Sequence, residues 1–595
     1  MSREQLRTTY KQRKEKFGIA ITLQSRLLNY ISLFRLMALV ATIWFLVLGI
    51  KHQGWPFYVA SVALLVLFLY LVTLHNKHVI RRKLMRHLKS LNETELSCLE
   101  HKFLDLPDGS EHADSSHPWS HDLDLFGKGS LFQYLNRTST LRGNAILGEM
   151  LTTEPGNPEI ITRRQEIIGD LKGQMDFRQD FFARGHLIEE KDDDLKDITR
   201  WLDAPAYIRK NRWLFYLALM VSALTLTISI SALSDSSRFW YLVYMLIFNF
   251  MVLSPFLMRT NQYQSVISKK HDLLEGYAHL LRIIKESSFT NEELNQRKER
   301  AGDGMREVRR LSKLLNIFDQ RLNMLLGVIL NGLFLFDFIM LHLLENWKDK
   351  NHAQILEWIE ITGWTDAMIS LAGFANNHPH FAVPHMEVGQ PLMEVTGLGH
   401  PLIADHKRVD NDLKLDAEKV VVITGANMAG KSTFLRSLGI NMVLTYMGCP
   451  VCATTFRTGY AGLYSSMRTA DSLKDEESYF LAEIKRLQLI VKRMETGEPL
   501  LILLDEVLKG TNTTDKKLGS VGLIQRSLKY PIRCFIATHD LSLGEMENEY
   551  KGQVVNWCFE SYIKEMELSF DYTIRKGIAT NMNASFLMRQ MGIMD

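Results

Sequence analysis

The chain has 595 residues, enough for three or four domains, and 23% of them are charged. A formal net charge of +3 is close to neutral for that size, which excludes a strongly basic nucleic-acid binder. Five cysteines, an odd number, give no disulfide framework and suit a reducing compartment.

The first elements are two apolar runs. Residues 36–50 carry no charge, and residues 54–74 form a second such run after Lys51. A hydrocarbon core of ~30 Å takes about 20 helical residues. The first run is shorter, but Arg35 can snorkel and let the helix begin near Leu27, so spans are expected near 30–50 and 54–74. A cleavable signal peptide is the competing reading of the first run; the close second run and the lack of a clear small-residue cleavage site oppose it. Two further uncharged runs follow, Trp213–Leu233 with 21 residues and Phe239–Met258 with 20, separated by Ser234-Asp235-Ser236-Ser237-Arg238. Buried helices of a soluble core are the alternative for these, though two adjacent hairpins of this length are rare there.

Charge placement orients the spans. Arg3, Arg7, Lys11, Arg13, Lys14 and Lys16 precede the first, and Arg81, Arg82, Lys83 and Arg86 follow the second. Arg209, Lys210 and Arg212 precede the third, and Arg259 follows the fourth, while the hairpin tips carry only Lys51 and Arg238. The positive-inside tendency predicts a multi-pass protein of the inner (cytoplasmic) membrane with both termini in the cytoplasm. The basic flanks also read as a nucleic-acid surface. Their place beside the spans favours lipid headgroups.

Residues 1–90 are therefore expected to form an N-terminal membrane hairpin and residues 91–120 a linker. Within it, residues 105–121, with Pro107, Gly109 and three histidines, read as polar. A helical region follows over 121–385, with a second hairpin inserted at 213–258. Residues 262–320 alternate apolar and charged positions at helical period, as long helices or a solvated coiled segment would. Leu325–Leu344 is apolar but contains Asn331 and Asp337. A fifth span would put the following domain outside, and an Asp in mid-membrane costs roughly 3 kcal/mol. The segment is read as a buried helix, or one lying against the hairpin.

The chemistry lies in residues 386–595. Gly425-Ala426-Asn427-Met428-Ala429-Gly430-Lys431-Ser432-Thr433 has the spacing of a phosphate-binding loop and follows the apolar run Val420-Val421-Val422-Ile423. A strand delivers the loop, glycines let backbone N–H groups turn toward phosphate oxygens, and a helix starting near Lys431 adds its positive end. Lys431 would reach the β- and γ-phosphates of ATP, and Ser432 would offer its hydroxyl to Mg²⁺. Leu500-Leu501-Ile502-Leu503-Leu504 reads as a buried parallel strand ending in Asp505-Glu506. Carboxylates at such a strand tip sit where open α/β sheets bind ligands. Asp505 would hold Mg²⁺ and Glu506 would orient or deprotonate the attacking water. A third strand, Cys534-Phe535-Ile536-Ala537, ends in Thr538-His539-Asp540, placing His539 to sense the γ-phosphate. Cys449-Pro450-Val451-Cys452 is a lone C-x-x-C with no second ligand pair nearby, and no structural metal is expected.

The loop resembles that of the MutS mismatch-repair ATPases, which reads TGPNMGGKST; the Asn427-Met428 pair is the distinctive part. Leu504–Asp515 resembles that family's LMDEIGRGTSTYD segment, Ala537-Thr538-His539 its ATH switch, and His400-Pro401 with Asn411-Asp412 the stretch before the loop. Ser478-Tyr479-Phe480-Leu481-Ala482-Glu483 is similar to the STFMVE signature. By that resemblance Ser478 contacts nucleotide on the opposite subunit, which implies a homodimer with composite sites. Weaker likeness to the core-lever domain runs from Leu123-Asp124-Leu125-Phe126-Gly127 to Ser370–Ala375. The implied fold is an α/β P-loop (ABC-type) ATPase domain behind an all-α lever-like domain carrying transmembrane hairpins.

Departures are equally plain. The mismatch-reading Phe-x-Glu motif occurs nowhere, and the lever-like region begins too early to leave room for a reader domain. Arg408 stands where the family often has an aromatic residue, and its planar guanidinium can stack on adenine. Glu476, beside Glu477, takes the place of the signature glycine and brings negative charge to the trans site. Two functions follow. One is ATP-driven binding of mismatched or structured DNA at the membrane face, implied by the resemblance. The other is a mechanochemical switch acting on lipid or a protein partner without DNA. A transporter ATPase ranks below both, since an LSGGQ-type signature is missing.

Overall fold

The computed structural model describes residues 2–206, 212–268, 270–387, 392–468, 479–509, 511–564 and 567–580. The N-terminal part is helical. Its first helix, Arg3–His52, is held at its start by a capping box in which the Ser2 hydroxyl accepts from Gln5 N and the Gln5 side chain accepts from Ser2 N. It ends at Gln53, whose left-handed backbone (φ 50°) turns the chain; Pro56 then lies in the first turn of Trp55–Leu99. With 50 and 45 residues, the two helices reach roughly 75 and 68 Å at 1.5 Å per residue.

Only their outer halves are apolar, and there the side chains face outward, Trp44 and Trp55 among them. The inner halves leave the expected spans and dock on the rest of the protein. Tyr10 donates to Asn377 (2.7 Å), Arg13 to Gln179 (2.9 Å), and Asn92 exchanges hydrogen bonds with Gln179. Residues 105–121 are irregular yet packed: Trp119 is buried and its indole N–H donates to Leu151 O.

The next domain is helical, and several of its helices start with a side chain that accepts from the first turn: Thr140 before Leu141–Thr152, Asn157 before Pro158–Lys172, Asn291 before Glu292–Asp319. The 42-residue helix Phe336–Asn377 is its axis. Asp366 on that helix is fully buried and accepts from the backbone and hydroxyls of both Ser139 and Thr140, anchoring the start of Leu141–Thr152. Arg212–Ser234 and Phe239–Ile267 form the inserted hairpin. Among the described residues four helices are long and apolar enough to cross a membrane, judged by length and composition.

Residues 325–344 do not form one helix. Met324–Phe334 and Phe336–Asn377 meet at 86°, with Leu335 left-handed between them (φ 47°). Nor is the segment wholly buried, because Met324 and Leu325 are 83% and 77% exposed. The break is fixed by polar groups: Asn331 Oδ1 accepts from Asp337 N (2.9 Å), and Asp337 pairs with Arg321 (2.7 Å).

Among the described residues the C-terminal domain has ten strands: β1 (His385–Glu387), β2 (Met393–Leu398), β3 (Asn411–Leu415), β4 (Val420–Gly425), β5 (Thr455–Gly459), β6 (Gly462–Ser466), β7 (Leu500–Asp505), β8 (Ile532–Thr538), β9 (Val554–Lys564) and β10 (Glu567–Lys576). They form a four-stranded sheet, β1-β5-β2-β3, and a six-stranded sheet, β10-β9-β4-β8-β7-β6, parallel except for β10. Every residue of β4 is buried, as both faces of a parallel sheet demand. The helix Lys431–Tyr446 is also buried along most of its length. On it, Asn441 accepts from Cys452 N and donates to Gly399 O, tying the second sheet to the loop's helix.

Candidate nucleotide site

Parallel pairing puts the tips of β4, β8 and β7 side by side, with Thr424 opposite Thr538 and Asp505 opposite Ala537. The phosphate-binding loop, the acidic pair and the histidine thus emerge at one end of the sheet. In the loop, Gly425 (φ 150°) lies against Phe559 O, where a Cβ would come within 2.6 Å, and Gly430 (φ 111°) opens the helix that begins at Lys431. Met428 is left-handed (φ 65°) and points outward with Asn427, while Ala426 and Ala429 are buried beneath. Ser432 and Thr433 sit in the first helical turn, Ser432 half-buried and Thr433 exposed.

Lys431 is buried, and its ammonium donates to the loop's own carbonyls, Gly425 O (2.8 Å) and Ala426 O (2.9 Å). Burial pushes it down to about 8, although Asp505 and Glu506 pull it back up. Glu506 has left-handed backbone (φ 55°), fixed by Glu506 N donating to Ala537 O (2.9 Å). Its Oε1 lies 2.5 Å from His539 Nε2, and Lys509 approaches Oε2 at 3.9 Å. The His539 contact above all holds the Glu506 carboxyl at about 2. Leu508 N donates to Glu483 (2.5 Å), joining the segment after Glu506 to the helix Tyr479–Met494. Ser478, the expected trans contact, lies outside the described residues, as do Glu476 and Glu477.

Beside the loop opens a cavity of about 270 Å³ whose lining includes His400, Arg408, Gly430, Phe434, Phe559 and Tyr572. Arg408 is held flat by Asp410 (2.7 Å) and Asp405 (2.8 Å). Asn411 donates to Tyr572 O and accepts from Ile574 N, clamping a bulge in β10 on which Tyr572 takes a left-handed conformation (φ 53°). Sequence reasoning missed Tyr572 and Phe559. They lie more than a hundred residues after the loop, and the only local signal was the aromatic spacing of Phe570 and Tyr572. The C-x-x-C cysteines are both buried, and burial pushes Cys452 up to about 12, far from a thiolate ligand.

Oxygen donors suit Mg²⁺, and the residues here include the Ser432 hydroxyl and the Asp505 carboxylate at adjoining tips. A strand-delivered loop, a helix start carrying a lysine and two strand-end carboxylates define the class of P-loop ATPase domains. The comparison with known families narrows it: residues 421–589 match MutS domain V. The chain therefore carries at its C-terminal end a MutS-type domain of the ABC ATPase class, a class that binds ATP with Mg²⁺. It is 30% identical to the DNA mismatch repair protein MutS of Thermotoga sp. (strain RQ2) over 207 residues, covering 34% of this chain and 26% of that protein. For MutS of Thermotoga maritima the values are 30% over 251 residues, 41% and 31%. For the DNA mismatch repair protein MSH3 of Debaryomyces hansenii they are 24% over 262 residues, 41% and 25%. The matches thus span about a quarter to a third of the relatives' length.

Proposed function

We propose that this protein is a Mg²⁺-dependent ATPase of the inner membrane, working as a homodimer whose nucleotide cycle moves its lever helices against its membrane spans. The observation that carries the reading is the convergence of Lys431, Asp505, Glu506 and His539 at the C-terminal ends of β4, β7 and β8, with Glu506 and His539 2.5 Å apart.

The chemistry follows from what these groups do. The Lys431 ammonium exchanges its two carbonyl partners for β- and γ-phosphate oxygens, and the backbone of residues 425–433 wraps the same anion. Ser432 and Asp505 would hold Mg²⁺, which supplies positive charge to the phosphate oxygens. Glu506 takes the proton of the attacking water. A carboxyl held at about 2 is a weak base, so His539 must leave it. Turning His539 toward the γ-phosphate does both tasks at once: it senses the nucleotide and releases the base. The adenosine fits the cavity between Tyr572, Phe559 and Arg408. Ser478 of the second protomer completes the site in trans.

Membrane coupling is favoured by the continuous helix Phe336–Asn377, which begins against the inserted apolar hairpin, Phe338 beside Phe256 and His342 beside Phe215, and ends eight residues before β1. We read the work done as movement of lipid-embedded helices or of a partner at the membrane. The DNA reading rests on the relatives, which are DNA mismatch repair proteins. One experiment separates the two: ATP turnover of the purified chain with liposomes or with a panel of heteroduplex and junction DNA. Stimulation by lipid alone supports the mechanochemical reading. Salt-sensitive DNA binding with stimulation supports the DNA reading. Absence of Mg²⁺-dependent turnover under every condition refutes both.

A further inference from the structure

The broken helix provides a second kind of membrane contact. Met324–Phe334 turns Gly327, Asn331 and Gly332 inward and leaves Met324, Leu325, Val328 and Ile329 on its outer side. Its inner face fits the inserted hairpin closely. A Cβ on Gly332 would stand 3.1 Å from Leu246, and Gly332 O accepts from Asn249 Nδ2 (2.6 Å). Asn249 in turn donates to Thr225 Oγ1 (3.0 Å). Small residues and interhelical amide bonds of this kind hold helices together inside lipid.

Position along the hairpin gives the depth. Asn249 is near the middle of the span Phe239–Met258, and Thr225 near the middle of Trp213–Ser234. Gly332 therefore lies at the midpoint of both. Arg321, just before the helix, donates instead to Gln264 (2.6 Å) and Asn261 (3.1 Å), beyond the end of the span at Met258. The 11 residues of Met324–Phe334 measure roughly 16 Å, half of a ~30 Å hydrocarbon core. The chain then returns: Phe338 meets Phe256 (4.7 Å) and His342 stacks on Phe215 (4.0 Å), near the cytoplasmic ends of both spans. The excursion's acidic residue, Asp337, is neutralised by Arg321 just before it.

We infer that residues 323–342 form a re-entrant element that dips from the cytoplasmic side to the bilayer midplane and back, its outer face in contact with lipid acyl chains. The inference rests on the hairpin at 213–258 crossing the membrane. It makes the lever helix Phe336–Asn377 begin inside the bilayer, so that a lever stroke acts on lipid directly.

The test uses single cysteines carrying an environment-sensitive fluorophore in proteoliposomes; all five native cysteines are buried and label poorly. Ile329→Cys reports on the element, Met220→Cys on the span, and Leu233→Cys on the far hairpin tip. The expected result is that Ile329→Cys and Met220→Cys are both quenched by spin-labelled acyl chains. Only Leu233→Cys then reacts with an impermeant thiol reagent added from the non-cytoplasmic side. Quenching at Met220→Cys with none at Ile329→Cys overturns the inference and leaves the spans standing. Reaction of Asn346→Cys, exposed just past the segment, with the impermeant reagent from the non-cytoplasmic side overturns it in favour of a fifth span. No quenching at either site overturns the membrane reading and the inference together.

Discussion

Arg3, in the first turn of the N-terminal helix, is ion-paired with Asp405, whose Oδ1 accepts from Arg408. Arg408 lines the cavity beside the phosphate-binding loop. A single carboxylate thus joins the foot of the long N-terminal helix pair to the wall of the proposed nucleoside pocket. Arg3 also donates to Leu99 O, at the foot of the hairpin's other helix.

Because both Arg3 and Asp405 are about one-third exposed, the pair itself adds little to stability. Its effect is expected on positioning. Asp405→Ala removes one of the two carboxylates that flatten Arg408, and KM for ATP should rise about 2- to 5-fold with kcat little changed. Steady-state kinetics check this; an unchanged KM would detach Asp405 from the pocket.

The Lys431 ammonium, held at about 8 by burial, should regain its proton as phosphate replaces the loop carbonyls. Its folded value lies below the ordinary lysine range, so the charged form costs stability at neutral pH. That cost fades as pH rises through about 8. Binding of Mg-ATP near that pH should therefore take up a proton, and well below it should not. Titration calorimetry in two buffers of different ionisation enthalpy reads this out. Buffer-independent heats near pH 8 would contradict the assignment.

Glu506→Gln should bind ATP and lose at least about 100-fold in turnover, the usual loss when a general base is removed. His539→Ala should also slow turnover while letting the Glu506 carboxyl rise from about 2 toward its ordinary range. In the parent protein the depressed Glu506 value stabilises the fold above the ordinary carboxyl range. That contribution is lost as pH falls toward about 2. Acid unfolding of His539→Ala should lack this component, which a pH series of thermal melts can show.

Asp337→Ala leaves Arg321 without its buried partner and should destabilise the helical domain by about 3–5 kcal/mol. Exchanging both, Arg321→Met with Asp337→Leu, should recover most of that loss. Thermal melts in nanodiscs compare the two. Equal damage in both variants would mean the pair does more than neutralise itself.

What was legible in the sequence follows from what local patterns encode. Strands β4, β7 and β8 were readable because buried parallel strands are continuous apolar runs, and their tips delivered Lys431, Asp505, Glu506 and His539 to one end of the sheet. The long apolar helices were readable from run length and apolar composition. The break at Leu335 was not, since no Gly or Pro marks it there and its cause is the contact of Asn331 and Arg321 with Asp337. The bulge at Tyr572 escaped for the same reason: Asn411, 161 residues away, imposes it. Nor could sequence foresee that Glu506 and His539 hold each other, because their pairing depends on neighbouring strand ends.

The central claim is that the site at Lys431 and Glu506 hydrolyses ATP and that lipid-embedded helices feel the cycle. The most direct measurement is phosphate release by the full chain in lipid nanodiscs and in detergent, with Glu506→Gln alongside. The account predicts Mg²⁺-dependent release that is faster in nanodiscs and abolished by Glu506→Gln. Turnover that survives Glu506→Gln, or that is indifferent to the bilayer, would contradict it.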